Sequence, residues 1–168
     1  MTKAAFVIES LRAHDRSGFS CGVEALDQYL RQQASQDAKR LVARCFVAVE
    51  TATHRIAGYC TLAATSVPAS DLTTEELRRL PRYPVLPAAL IGRLAVDEGF
   101  QRKGLGGALL ADAALRVLEG DVAAFALVVD VIDDNTLAFY RRHGFRPFAS
   151  RPSSLFMPLG TAKKGAAP

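Results

Sequence analysis

The stretch that decides the fold is Gln101-Arg102-Lys103-Gly104-Leu105-Gly106-Gly107. Ahead of it, Ala89-Leu90-Ile91-Gly92-Arg93-Leu94-Ala95-Val96-Asp97 reads as a strand. Behind it, Ala108-Leu109-Leu110-Ala111-Asp112-Ala113-Ala114-Leu115-Arg116-Val117-Leu118 reads as a helix. Strand, glycine-rich basic turn and helix together make an anion-binding construction. Glycines let backbone N–H groups approach a phosphate, and the helix N-terminus adds the positive end of its dipole. Arg102 and Lys103 add charge at the same place. Taken alone, such a turn is equally a tight strand-to-helix connection that needs positive φ. Its spacing differs from the two common phosphate loops. No Lys-Ser or Lys-Thr follows the glycines, and Leu109 stands where a third glycine of G-x-G-x-x-G would be.

The pattern is Gln-x-x-Gly-x-Gly, which resembles the acetyl-CoA pyrophosphate loop of the GNAT N-acetyltransferases. The resemblance extends beyond the loop. Leu94-Ala95-Val96 stands where that family has the end of its cofactor strand. Asp134-Asn135-Thr136-Leu137-Ala138-Phe139-Tyr140-Arg141-Arg142-His143-Gly144-Phe145 supplies the later Asn, Tyr and Gly-Phe in the family's order. The implied fold is α+β, a central mixed, mostly antiparallel twisted sheet flanked by helices.

Composition sets the frame. The chain has 168 residues, 49% of them hydrophobic, enough for one globular domain with a full core. A single domain over residues 1–160 and a disordered tail over 161–168 are expected. No apolar run approaches the ~20 residues of a spanning helix, and the first residues carry no signal-peptide stretch. Cys21, Cys45 and Cys60 are odd in number and form no C-x-x-C pair, so neither zinc nor a disulfide framework is suggested. Reduced thiols in a cytoplasmic protein fit that usage. The net charge is +4, unevenly spread. From Arg141 onward there are six Lys/Arg and no acid, which leaves 15 basic against 17 acidic residues, a net −2, in the rest. A basic C-terminal segment attracts phosphates, nucleic acid or an acidic partner, or serves only as a solvated face.

Elsewhere the pattern places a first strand at residues 6–11 and a helix carrying Leu26, Tyr29 and Leu30 at core-facing spacing. A polar helix follows over residues 32–41. Strands are expected over 44–50 and 56–66, joined by a hairpin at 51–55. Residues 67–87 hold Pro68, Pro81, Pro84 and Pro87, so no strand is expected through them. Within that excursion Thr73-x-x-Glu76 is a capping-box pattern for a short helix through Leu80. The excursion reads either as an acceptor-site wall or as a loop covering the sheet edge. A buried strand over 122–131, a helix over 133–143 stopped by Gly144, and last strands at 146–148 and 155–159 complete the reading.

The resemblance implies site roles. Leu94, Ala95 and Val96 would hold pantetheine through their backbone, with an N–H near Val96 polarising the thioester carbonyl. Gln101, Arg102, Lys103, Gly104, Leu105, Gly106 and Gly107 would hold the pyrophosphate, and Asn135 the pantetheine. Asn135 is alternatively a helix N-cap. Tyr140 would be the general acid for the departing thiolate, since a phenol titrating near ~10 is protonated at neutral pH. On its own, Tyr140 reads first as a core aromatic, because Leu137 shares its helix face. No general base is evident. His54 and His143 read as surface residues, and Asp97 and Glu98 are either acceptor-mouth carboxylates or loop residues. An α-amino group titrating near ~8 needs less help than a lysine near ~10.4, which favours an α-amino acceptor.

Residues 19–145 resemble more narrowly the toxin branch of the GNAT family, whose members acetylate aminoacyl-tRNA and block translation. The carriers are Phe19-Ser20-Cys21-Gly22, Leu26-Asp27-Gln28-Tyr29-Leu30, Gly58-Tyr59-Cys60-Thr61-Leu62 and Gly92-Arg93-Leu94-Ala95-Val96-Asp97, with the loop. That branch implies acetyl-CoA as co-substrate, no metal and a homodimer. It also implies a ribbon-helix-helix antitoxin, DNA contact only through the antitoxin complex, and no membrane. Arg78, Arg79, Arg82, Arg93, Arg141, Arg142 and Arg146 are candidate tRNA contacts. Two other functions fit the residues: a GNAT acting on a free small amine or a protein N-terminus, and a non-catalytic acetyl-CoA-binding or DNA-regulatory subunit.

Overall fold

The structure is a computed structural model that describes residues 5–131 and 133–160. The expected tail at 161–168 lies outside the described residues. Seven strands form one sheet in the order β1-β2-β3-β4-β5-β7-β6. They are β1 (Phe6–Ser10), β2 (Arg44–Glu50), β3 (Ile56–Pro68), β4 (Val85–Val96), β5 (Ala126–Asp130), β6 (Arg146–Pro147) and β7 (Ser154–Pro158). β1–β2, β2–β3, β5–β7 and β6–β7 are antiparallel, and β4–β5 is parallel. The sheet is therefore mixed and mostly antiparallel, as expected. Among the described residues no helix is long and apolar enough to cross a membrane. The chain divides into two compact units, Met1–Ala63 with Gly92–Ala113, and Ala64–Ile91 with Ala114–Pro168.

The first unit has a helical layer on one face of its strands. Cys45, Val47 and Val49 alternate along β2 into a cluster with Phe19, Tyr29, Leu30, Tyr59 and Ala95. α1 (Glu24–Gln28) runs through a π-helical turn at Tyr29–Gln33 directly into α2 (Ala34–Lys39). The amide of Ala34 donates to Tyr29 O, five residues back. The wider turn re-phases the helix, so Tyr29, Leu30 and Ala34 are all buried. The sequence pattern suggests two separate helices because a 3.6-residue period does not carry across that turn. Tyr59 continues the layer: its hydroxyl donates to Leu26 O at 2.6 Å, and its ring meets Phe19 edge-on at 5.6 Å. On the other face, a Cβ added to Gly58 would lie 2.9 Å from Ala95 O and 3.1 Å from the Leu109 side chain. The missing side chain is what lets Leu105 and Leu109 of α4 (Leu105–Glu119) close on β3.

The second unit packs Val67, Leu72, Leu86, Ala88, Ala126, Val128, Phe148 and Phe156 together. Phe148 and Phe156 stack at 4.5 Å. Here the expectation of no strand across residues 67–87 is corrected at both ends: β3 continues to Pro68, and β4 begins at Val85 and includes Pro87. The prolines serve as acceptors and not donors. Pro84 O accepts from the Ala69 amide at 2.9 Å and Pro87 O from the Phe125 amide at 3.0 Å, so the missing N–H groups break no bond. Between them the capping box forms as expected. Thr73 Oγ1 accepts from the Glu76 amide at 3.2 Å, and Glu76 Oε2 accepts from the Thr73 amide at 3.1 Å. α3 spans Thr74–Arg78, shorter than the pattern suggests. β5 is also shorter than the apolar run that predicts it; Val122 is exposed. Asp71 is buried and ties this segment to the chain's end, accepting from Ser150 Oγ and pairing with Arg151 at 3.1 Å.

Candidate active site

The loop is built by backbone conformation. β4 ends at Val96, a 3₁₀ turn occupies Glu98–Phe100, and α4 starts at Leu105. Arg102 and Gly104 both take positive φ, 64° and 79°. A Cβ on Gly104 would meet nothing within 4 Å, so its φ, not crowding, calls for glycine. The Ala108 amide makes a helical bond to Gly104 O at 3.1 Å. The amides of Leu105, Gly106 and Gly107 precede it in the first turn, where helix N–H groups have no intrahelical acceptor. These donors and the dipole of a fifteen-residue helix face whatever anion sits there. Lys103 Nζ lies 5.5 Å from the Phe100 ring centroid, and the Arg55 guanidinium lies over the same ring at 5.3 Å. Arg55 was not singled out by the sequence; it joins the loop's cations from the β2–β3 hairpin, through a fold-dependent contact.

Ahead of the loop, β4 has two regimes. Its parallel ladder with β5 covers three pairs and ends at Ile91↔Val129. Residues 92–96 continue the strand past that last pair. Ala95 points into the first unit's core, while Leu94 and Val96 are half-buried. A pantetheine arm adding as a strand uses backbone groups, so these side chains need not face it. Gln101 closes the end of the strand: its side-chain amide donates to Val96 O at 3.0 Å and to Cys21 O at 3.3 Å. Both side-chain donors are thus used inside the chain, and what Gln101 has left for an anion is backbone.

Asp97 is buried, and its carboxylate is occupied. It accepts from the Ser20 amide at 2.9 Å and the Gly99 amide at 2.9 Å, and lies 3.9 Å from Arg55. This resolves its two sequence readings in favour of a loop residue that fixes the Ser20–Cys21 turn. Cys21, in that turn, is no ready nucleophile: burial, then the Asp27 carboxylate, push its thiol up to about 11. His14 Nδ1 accepts from the Arg12 amide, and a ring nitrogen of His143 lies 2.8 Å from Phe139 O. His54 is exposed in the hairpin.

The second unit holds the other candidates. α5 (Asp134–Arg142) is capped by Asp133, whose side chain accepts from the Thr136 amide at 2.7 Å; that bond holds its carboxyl below the usual range. Asn135 is therefore not the cap and stands exposed in the first turn. Tyr140 is buried, with Phe139 and Phe145 packed edge-on at 5.2 Å each. Gly144, at φ 94°, ends the helix and sends Phe145 back onto Tyr140. Arg78, Arg79, Arg82, Arg141 and Arg142 are exposed. Arg146 is engaged, 3.0 Å from Glu76 and stacked over Phe156. Arg93 is the one cation of the candidate set in the first unit, and it lies flat on Tyr29 at 3.5 Å. The sequence marks Tyr29 only as a core residue, and no local pattern points to that stack.

A seven-strand mixed sheet carries a positive-φ loop at the N-terminus of a fifteen-residue helix, a construction suited to a phosphate-bearing cofactor. The acetyltransferase (GNAT) domain matches residues 42–147, and the chain belongs to that family. Among relatives, a "tRNA-acetylating toxin" of Mycobacterium tuberculosis is 34% identical over 153 residues, covering 90% of each chain. A "Probable toxin TacT" of Sinorhizobium fredii is 27% identical over 168 residues, covering 94% of this chain and 93% of that one. Among solved structures, AtaT complexed with acetyl-methionyl-tRNAfMet superposes with TM-score 0.88 at 25% identity, covering 96% of this chain and 99% of the other. AtaTR bound with AcCoA gives 0.83 at 25% identity, covering 97% and 99%. A KacTA–DNA complex gives 0.77 at 26% identity, covering 95% and 96%.

Proposed function

We propose that this protein moves an acetyl group from acetyl-CoA to the α-amino group of aminoacyl-tRNA and so blocks translation, as the toxin of a toxin–antitoxin pair. The observation that carries the reading is the open β4 end feeding the anion loop, in a chain 34% identical to a tRNA-acetylating toxin over 90% of both. Acetyl-CoA supplies the activated thioester. Residues 92–96 offer backbone groups to its pantetheine, and an N–H near Val96 polarises the carbonyl. The loop, from Gln101, Arg102 and Lys103 through Gly104 and Leu105 to Gly106 and Gly107, offers N–H groups and charge to the pyrophosphate. Asn135, exposed and not needed as a cap, contributes a further amide to the arm.

In the transfer the amine nitrogen forms the new C–N bond and the C–S bond breaks. The sulfur leaves as thiolate and takes the hydroxyl proton of Tyr140, whose phenolate then regains a proton from solvent. The α-amino group loses a proton to solvent, and no side-chain base is required because the adjacent ester lowers the amine below the ~8 of a free α-amino group and so raises its neutral fraction near pH 7. Arg78, Arg79, Arg82, Arg93, Arg141 and Arg142 contact RNA phosphates. In this reading residues 1–160 act as one domain, the protein is a cytoplasmic homodimer, and a ribbon-helix-helix antitoxin covers it and mediates any DNA contact.

Cell-free translation tests the proposal. Adding the protein arrests synthesis only when acetyl-CoA is present, and the rate of tRNA acetylation falls steeply with salt as phosphate contacts release counterions. Unimpeded translation with acetyl-CoA present, alongside acetylation of a free amine, would move the assignment to a small-amine or N-terminal acceptor.

A further inference from the structure

Arg93 is held differently from the arginines that the fold uses for its own stability. Arg31, Arg55, Arg146 and Arg151 each pair with a carboxylate: Glu24, Asp97, Glu76 and Asp71. Among the described residues Arg93 has no carboxylate within ion-pair distance. It is fixed instead by a ring, with its guanidinium carbon 3.5 Å from the centroid of Tyr29; the other cation–π contacts among the described residues are 4.8 to 5.5 Å. A guanidinium held against a ring face keeps its charge and, where the two planes stack, leaves its N–H edge to other partners.

The ring is itself secured. The Tyr29 hydroxyl donates to Asp37 Oδ2 at 2.7 Å, and Gln33 Nε2 donates to Asp37 Oδ1 at 2.9 Å. Tyr29 also stacks against Tyr59, with centroids 6.2 Å apart and planes 16° from parallel. The π-turn begins at Tyr29, and such turns occur often at functional sites. Arg93 acts on the nearby Asp37 carboxylate through charge, helping to lower its pKa, without forming an ion pair with it, so an anionic ligand from outside would complete its pairing. The proposed ligand is not the coenzyme pyrophosphate, which is assigned to the loop amides ahead of α4, whereas Arg93 stands within β4. Nor is it the acceptor amine, which a guanidinium repels when protonated.

We propose that Tyr29 is a positioning residue that presents Arg93 as a bidentate clamp for one backbone phosphate of the RNA acceptor. This rests on the aminoacyl-tRNA reading, and the test separates the two. The probe is total charged tRNA. Its acetylation by wild type is read first, followed by binding across a salt series for wild type, Arg93→Ala, Arg93→Lys, Tyr29→Leu and Tyr29→Phe. The expected result for Arg93→Ala is roughly tenfold weaker binding and a log–log salt slope shallower by about one phosphate contact. Tyr29→Leu weakens binding severalfold, Tyr29→Phe, which keeps the ring but loses its hydroxyl bond to Asp37, weakens it less, and KM for acetyl-CoA stays constant throughout. Arg93→Lys, which lacks the planar fork, falls between. An unchanged salt slope in Arg93→Ala overturns the clamp, whether affinity is kept or is lost through base stacking. So does a KM for acetyl-CoA that rises in step with that for tRNA. A wild type that acetylates no charged tRNA overturns the parent reading and the clamp with it.

Discussion

The loop at residues 101–107, proposed to hold the pyrophosphate, and the Arg93 platform both present positive charge, and they are made in opposite ways. The loop is backbone: two positive-φ positions, a helix N-terminus and a glycine floor at Gly58. Apart from Gly58 on β3, its parts are contiguous in sequence. The platform is side chains from distant parts of the chain, Arg93 on β4 against Tyr29, Gln33 and Asp37 on the helical layer. A site made of backbone conformation leaves a local signature, because glycines and helix starts are local. A site made of stacked side chains leaves none. Its partners become neighbours only once the fold has formed.

Substitutions at three positions sharpen that contrast. The largest effect is expected at Gly58, under the loop helix. A Cβ there meets Ala95 O at 2.9 Å, a backbone atom that moves only if β4 moves. Gly58→Ala is expected to cost about 1–3 kcal/mol in urea unfolding and to raise KM for acetyl-CoA. Wild-type stability in that variant would show that the helix does not depend on close approach. At Gly104 the space is open and only φ matters. Gly104→Ala should cost about 1 kcal/mol, and Gly104→Asn less, because asparagine visits the left-handed region more readily. Equal losses in the two variants would point to crowding instead.

The smallest effect is expected in the platform. Hydrogen bonds from Gln33 and then Tyr29 hold the Asp37 carboxyl below its ordinary 3.8. A lowered folded value means that the carboxylate's contribution is present above pH 3.8 and is lost as pH falls through the lower folded value. Wild type should therefore exceed Asp37→Asn in thermal stability by a constant small margin near neutrality, and the margin should shrink in acid. A margin that persists at pH 3 would mean that the charge on Asp37 is not what secures Tyr29.

Much of the frame is legible in the sequence where the determinants are local. The bounds of β2, the Thr73–Glu76 capping box and the Gly144 stop after α5 all follow from nearby residue types. The strand ends at Pro68 and Pro87 do not, because a proline's tolerance depends on whether its absent N–H had a partner. The π-turn at Tyr29–Gln33 is hidden for a related reason: it breaks the period by which helices are read. Within the site, the loop is readable from its spacing. The occupation of Asp97 by Ser20 and Gly99, and of the Gln101 side chain by Val96 and Cys21, is set by the fold.

Tyr140→Phe assayed beside wild type with labelled acetyl-CoA and a mixed pool of charged tRNAs tests the central claim most directly. The account predicts label on the amino acids of one or a few tRNAs with wild type. It predicts at least a hundredfold slower transfer in the variant with acetyl-CoA binding unchanged, the scale at which a positioned proton donor acts. Equal labelling by both proteins would contradict the role of Tyr140. Acetyl-CoA binding with no label on any tRNA would contradict the aminoacyl-tRNA assignment itself.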